Sequence, residues 1–195
     1  MRPATVFFVS FTIDRIIMVA DFLHKKTLIV GDVNSGKTQY TLNVLETFIR
    51  GGITDIAVLD LAPETTGGIG GKMGRMEHAA ILYLTTAIAA PRLSGMNENE
   101  TTLLARKNAR AIEGLFGEYL AHPREVLFIN DTTLYLHAGK PETLFHVLDT
   151  AATQVLNAYY GTTFADSPLS RRERQLVDLL MTRCDKVIKL STDRP

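Results

Sequence analysis

The segment Gly31-Asp32-Val33-Asn34-Ser35-Gly36-Lys37-Thr38 spells G-x-x-x-x-G-K-[ST], a spacing suited to wrapping backbone N–H groups around phosphate oxygens. Such a turn must bring successive amides inward, and a side chain at Gly31 or Gly36 would obstruct it. Lys37 is then placed to reach the β- and γ-phosphates of a nucleoside triphosphate, and Thr38 to offer its hydroxyl to Mg²⁺. The helix that follows aims its N-terminal dipole at the same anion. The expected nucleotide-contacting set is therefore Gly31, Asp32, Val33, Asn34, Ser35, Gly36, Lys37, Thr38 and Gln39.

The flanks fit a phosphate-binding turn. Lys26-Thr27-Leu28-Ile29-Val30 reads as a buried strand feeding the loop, and Thr38 to Arg50 carries apolar residues at Leu42, Leu45, Phe48 and Ile49, the spacing of an amphipathic helix. Gly51-Gly52 stops it. On these residues the chain resembles the P-loop NTPase superfamily. The resemblance implies an α/β fold of three layers, with a mainly parallel central sheet flanked by helices, and ATP with Mg²⁺ as the ligands.

The resemblance also implies an aspartate that holds Mg²⁺, carried by a strand next to the P-loop strand. Two strands end in aspartate: Asp55-Ile56-Ala57-Val58-Leu59-Asp60 and Glu125-Val126-Leu127-Phe128-Ile129-Asn130-Asp131. The length and apolarity of the second favour Asp131, with Asp60 as the alternative. Asp60-Leu61-Ala62-Pro63-Glu64 is similar to the D-x-D-type segment that follows the second strand in several P-loop kinases and ATPases, the RNA 5′-hydroxyl kinases among them, with Ala62 in place of the second acid. Asp60 or Glu64 is then a candidate base towards an acceptor hydroxyl or water. Arg171, Arg172 and Arg174 sit near the start of a predicted helix, where the dipole does not favour positive charge. Arg172 represents them as a candidate lid arginine on the transferred phosphoryl group, against the alternative of a solvated helix face aided by Glu173. Arg92 is a further acceptor-site candidate.

The run Gly67-Gly68-Ile69-Gly70-Gly71-Lys72 reads as a second anion loop, a mobile lid, or a plain surface loop; it lacks P-loop spacing. Base preference falls to ATP by elimination. Asp131-Thr132-Thr133-Leu134 lacks the glycine of a GTPase switch, and Thr182-Arg183-Cys184-Asp185 precedes the last predicted strand instead of following it. The histidines, His24, His78, His122, His137 and His146, form no zinc pattern, and no nucleophile elbow occurs.

The elements needed to position these groups can be read between the motifs. A third strand is expected over Ala80 to Thr86, a helix over Glu100 to Leu120, and another over Pro141 to Tyr160. Ser167-Pro168 opens a further helix to about Arg183, and Lys186 to Leu190 forms a last strand. Strands alternating with helices imply a parallel sheet covered on both faces.

A chain of 195 residues, 46% hydrophobic, suits one such domain. Residues 1–17 are expected as an N-terminal extension to which the sequence assigns no definite structure, and 18–195 as the nucleotide-binding domain, with Met18 a candidate translation start. A net charge of zero gives no global field for nucleic acid or an anionic membrane. The lone Cys184 excludes an intrachain disulfide framework and reads as a small buried hydrophobe. With no signal peptide and no apolar stretch of spanning length, a cytoplasmic protein without membrane partners is expected. Three activities fit: an ATPase whose nucleotide state drives a conformational switch read by a protein partner, a kinase passing the γ-phosphoryl to a small-molecule or nucleic-acid 5′-hydroxyl, or a non-catalytic nucleotide-sensing module. The absence of a glutamate beside Asp131 argues against a motor-type ATPase.

Overall fold

The computed structural model describes residues 5–9, 17–65, 71–74 and 80–191. Seven strands, β1 (Thr5–Val9), β2 (Lys26–Gly31), β3 (Ile56–Asp60), β4 (Leu82–Thr85), β5 (Val126–Asn130), β6 (Thr153–Tyr159) and β7 (Lys186–Leu190), form one sheet in the order β1-β7-β2-β6-β5-β3-β4. Every pairing in it is parallel. The expected α/β fold of three layers is the one observed.

Successive strand residues face opposite ways, and the core divides accordingly. Leu28, Val30, Leu127, Ile129 and Leu156 join one apolar cluster, whereas Ile29, Val58, Phe128, Val155 and Ile188 join the other. The second is closed by α1 (Lys37–Arg50) through Val44, Leu45 and Phe48, with Phe48 edge-on to Phe128 at 5.6 Å between ring centres. The first is closed by α3 (Glu98–Ala121) through Ile112, Leu115, Phe116 and Tyr119, by α5 (Pro141–Leu148) through Leu144 and Val147, and by α6 (Pro168–Thr182) through Val177 and Leu180. Coverage on both sides explains why β2, β3 and β5 are near-continuous apolar runs.

Three findings depart from the sequence reading. The span Pro141 to Tyr160 is not one helix: α5 stops at Leu148, and Thr153–Tyr159 is β6, a central strand between β2 and β5. Consequently the aspartate-bearing β5 is not next to the P-loop strand; β6 separates them. Two short helices, α2 (Pro91–Ser94) and α4 (Thr133–Leu136), bring further residues to the site. Within the segment expected as an N-terminal extension, Thr5–Val9 is an edge strand paired with β7. The glycine-rich run from Gly67 to Gly70 lies outside the described residues.

Candidate functional site

The turn between β2 and α1 has the conformation its spacing demands. Gly36 takes a left-handed φ of 82°, which glycine allows without strain, and Asn34 sits at 57°. Gly36 is the N-cap of α1 and offers no side chain to the helix start. Among the described residues, the backbone N–H groups of Asn34, Gly36, Lys37, Thr38 and Gln39 find no acceptor. A helix start left so uncapped is a set of donors aimed at an anion.

The side chains around the turn are pre-set. The Lys37 ammonium curls back to donate to the Asp32 carbonyl at 2.6 Å and to Ser35 Oγ at 3.4 Å. Burial lowers its pKa from the ordinary lysine value, while the negative charges of Asp131, Asp32 and Glu173 oppose that shift. Gly31 must remain glycine for packing, since a Cβ there would lie 2.4 Å from Ser35 Oγ and 2.7 Å from the Leu190 carbonyl.

Thr38 Oγ1 donates to Asn130 Oδ1 at 3.3 Å, at the end of β5. Asn130 Nδ2 in turn donates to Asp60 Oδ1 at 2.8 Å, and Asn157 Nδ2 donates to Asn130 Oδ1 at 2.8 Å and to Thr41 Oγ1 at 2.9 Å. Two buried amides on neighbouring strands thus tie α1 to β5 and β3. Asp131 follows at a left-handed φ of 57°, held there by its own N–H donating to Asn157 Oδ1 at 2.8 Å. Its carboxylate accepts from the Thr133 hydroxyl. Burial raises the Asp131 pKa; the Thr133 hydroxyl, Lys37 and His137 oppose the rise, and Glu173 adds to it.

Lys37, Thr38, Asp131, Thr133 and Asn157 line a cavity of about 430 Å³ at the carboxyl ends of β2, β5 and β6. Val33, Asn34, Gly36 and Gln39 of the turn line it too, as do Leu134 and His137 after β5, and Ala90 to Leu93 with Tyr159 and Phe164. The last group was not expected together. Arg92 lies over the Phe164 ring at 3.9 Å and the Tyr159 ring at 4.9 Å, and donates to Glu173 Oε1 at 2.8 Å. Glu173 Oε2 meets His137 Nε2 at 2.5 Å.

Two expected catalytic residues are placed otherwise. Asp60, the candidate base, is fully buried and does not line the cavity. Its carboxylate is consumed by Met73 N–H at 2.6 Å, the Tyr83 hydroxyl at 2.5 Å, Asn130 Nδ2 and Ala62 N–H, so it braces β3 against β5. Arg172, the candidate lid arginine, donates to the carbonyls of Leu136 and Gly139 at 3.2 and 2.7 Å and holds the turn between α4 and α5. Arg171 pairs with Asp166, and Arg174 donates to the Gly161 carbonyl. Of the glycine-rich run, Gly71 lines the cavity, whereas Lys72 is spent on Ala62 O, Thr85 Oγ1 and Thr86 O.

No protein-family model and no curated protein sequence matches the chain. Among solved structures it is similar to the flagellar accessory protein FlaH from Methanocaldococcus jannaschii, with 9% identity and a TM-score of 0.49 over 86% of this chain and 71% of that one. What the site can do is decided by its own residues.

His137 and Glu173 were the groups missed from sequence. They stand 36 positions apart on separate helical elements, and Glu173 reads as one acid among exposed arginines. The available signal was weak: with α6 helical, Glu173 falls four residues before Val177, on the face that α6 buries.

A magnesium ion fits the donors present. Thr38 offers a hydroxyl and Asp131 a carboxylate on the same cavity, and no cluster of three or more His, Cys, Asp or Glu among the described residues forms a closed cage. One or two protein oxygens completed by substrate phosphates is the usual magnesium arrangement. Among the described residues no helix is long and apolar enough to cross a membrane.

Proposed function

We propose that this protein binds ATP with Mg²⁺ in the cavity between β2, β5 and β6 and cleaves its β–γ phosphoanhydride, coupling cleavage to a conformational switch in the cytoplasm. One observation carries the reading: the five N–H groups of Asn34 and Gly36 to Gln39, without an acceptor among the described residues, on a cavity that Lys37 and Asp131 also line. Amide donors and one ammonium match a polyphosphate, and a carboxylate among them would repel that anion unless a cation stood between. Thr38 and Asp131 would hold that cation, whose charge neutralises the phosphate oxygens when bound.

In the step itself a nucleophile oxygen bonds to the γ-phosphorus and gives up its proton, while the bond to the bridging oxygen breaks and ADP leaves with the electron pair. Lys37 moves from the Asp32 carbonyl to the phosphates, exchanging one oxygen partner for a more negative one. A second reading, transfer to an acceptor hydroxyl, is favoured by the apolar part of the lining. Leu93, Tyr159 and Phe164 offer surface suited to excluding water around a second substrate. A protein partner that reads the nucleotide state belongs to the first reading.

Incubating the protein with Mg²⁺ and γ-labelled ATP, with and without a pooled metabolite and oligonucleotide extract, tests both. Free phosphate that falls by at least ~10²-fold in Lys37→Ala supports the ATPase. Label on an acceptor selects the kinase. Binding without release of either kind leaves a sensing module and overturns cleavage.

A further inference from the structure

We propose that His137 is the proton acceptor for the attacking nucleophile and that Glu173, fixed by Arg92, sets its tautomer; this rests on the phosphoanhydride-cleavage reading above. Among the described residues, the other candidate bases are placed elsewhere or engaged: Glu64 is exposed and does not line the cavity. Asp60 is walled off with its carboxylate consumed, and Asp131 is flanked by Asn130 and Thr132, neither of them acidic. His137 lines the cavity together with Lys37, Thr38 and Asp131, yet is only 5% exposed.

Its two nitrogens are in unlike situations. Nε2 meets Glu173 Oε2 at 2.5 Å, whereas Nδ1 has no hydrogen-bond partner among the described residues. A neutral imidazole that donates from Nε2 to a carboxylate must leave its lone pair on Nδ1, the form a base requires. The carboxylate then steadies the imidazolium once the proton arrives, which is the division of labour in any base held by an orienting acid. A buried ring nitrogen left without a partner is destabilising unless something in the working site engages it.

Glu173 is itself over-determined. Its side chain is 3% exposed, and Arg92 donates to the other oxygen at 2.8 Å. Arg92 packs against the Tyr159 and Phe164 rings, which themselves meet edge-on at 5.1 Å between centres. That arrangement fixes the carboxylate in place, so the ring of His137 keeps Nε2 turned towards it. The proton of the attacking oxygen passes to Nδ1 as the oxygen bonds to the γ-phosphorus, and the electron pair of the breaking bond leaves on ADP.

The test compares wild type, Lys37→Ala, His137→Gln and Glu173→Gln for ATP affinity and for single-turnover γ-phosphoryl release, or transfer where an acceptor has been found. His137→Gln keeps an N–H for Glu173 but has no basic nitrogen. It is expected to bind ATP within about threefold of wild type and to cleave it ~10²- to 10⁴-fold more slowly. Cleavage within threefold of wild type overturns the assignment while leaving the ATPase or kinase reading intact. Absence of Lys37-dependent cleavage in wild type overturns both. Should His137→Gln not fold, Glu173→Gln decides: it is expected to bind ATP within about threefold of wild type and to slow single-turnover cleavage by at least ~10-fold. Cleavage by Glu173→Gln within threefold of wild type overturns the assignment.

Discussion

Asp32 shows how one side chain can join the phosphate turn to a distant loop. Its carboxylate accepts from Val33 N–H at 2.6 Å and from Thr162 N–H at 2.9 Å, while its carbonyl receives Lys37. The fit leaves no room for a side chain at Gly161, where a Cβ would lie 2.2 Å from Asp32 Cγ. Burial alone would raise the carboxyl pKa, but hydrogen bonds from the Thr163 side chain and from the N–H groups of Thr162, Val33 and Thr163 outweigh it and hold the value at about 2, below the ordinary 3.8. A depressed carboxyl contributes stability above its unfolded pKa and loses it as pH falls through the folded one. Asp32→Asn should therefore cost about 1–2 kcal/mol at pH 7, allowing for partial exposure, and almost nothing at pH 2. Urea unfolding of both proteins across that range measures the difference; equal stability at pH 7 would contradict it.

Strand β6 is the element on which the site turns, and the one that sequence reading did not separate from α5. Leu144, Val147, Leu148, Ala151 and Val155 continue a helical spacing across the α5–β6 boundary, and residues 149–152 contain neither glycine nor proline to mark a break. The strand also carries Gln154 and Asn157, polar residues that a buried central strand seldom tolerates. Tertiary partners accommodate them: Gln154 Nε2 donates to the carbonyls of Leu148 and Ala151, and Asn157 serves Thr41, Asn130 and the Asp131 N–H. By contrast β2, α1, β3 and β5 were legible because apolar runs and glycine stops encode them locally. The phosphate turn was legible for the same reason, whereas the His137–Glu173–Arg92 cluster exists only once α2, α4 and α6 are packed. Asn157→Ala should strand several buried groups together, costing about 2–3 kcal/mol in denaturant unfolding and weakening nucleotide binding through a misplaced Asp131. A loss below about 1 kcal/mol would mean that the amide relay is dispensable.

The sheet order places all the groups in question at one edge of the molecule, since Gly31, Asn130 and Tyr159 end β2, β5 and β6 on the same side. Parallel strands make this inevitable, and the crevice at their carboxyl ends is where open α/β sheets bind ligands. A nucleotide there would touch α1, the β5–α4 turn, α2 and the segment after β6, so that its binding energy is shared by both layers of helices. Ligand that binds the folded state alone at about 100 times its Kd adds ~2.7 kcal/mol, which for a chain of this size raises Tm by roughly 5–10 °C. Thermal unfolding with ATP and Mg²⁺ should show that rise, growing with the logarithm of ATP concentration. In Lys37→Ala the rise should all but vanish, because the turn keeps its shape but loses the charge that draws the β- and γ-phosphates in. A glycine-rich turn serving only to connect β2 with α1 would give no rise in either protein, and an equal rise in both would put the anion at some other place on the molecule. Only dependence on Lys37 ties the stabilisation to the cavity, which makes this the measurement in which the fold and the chemistry answer together.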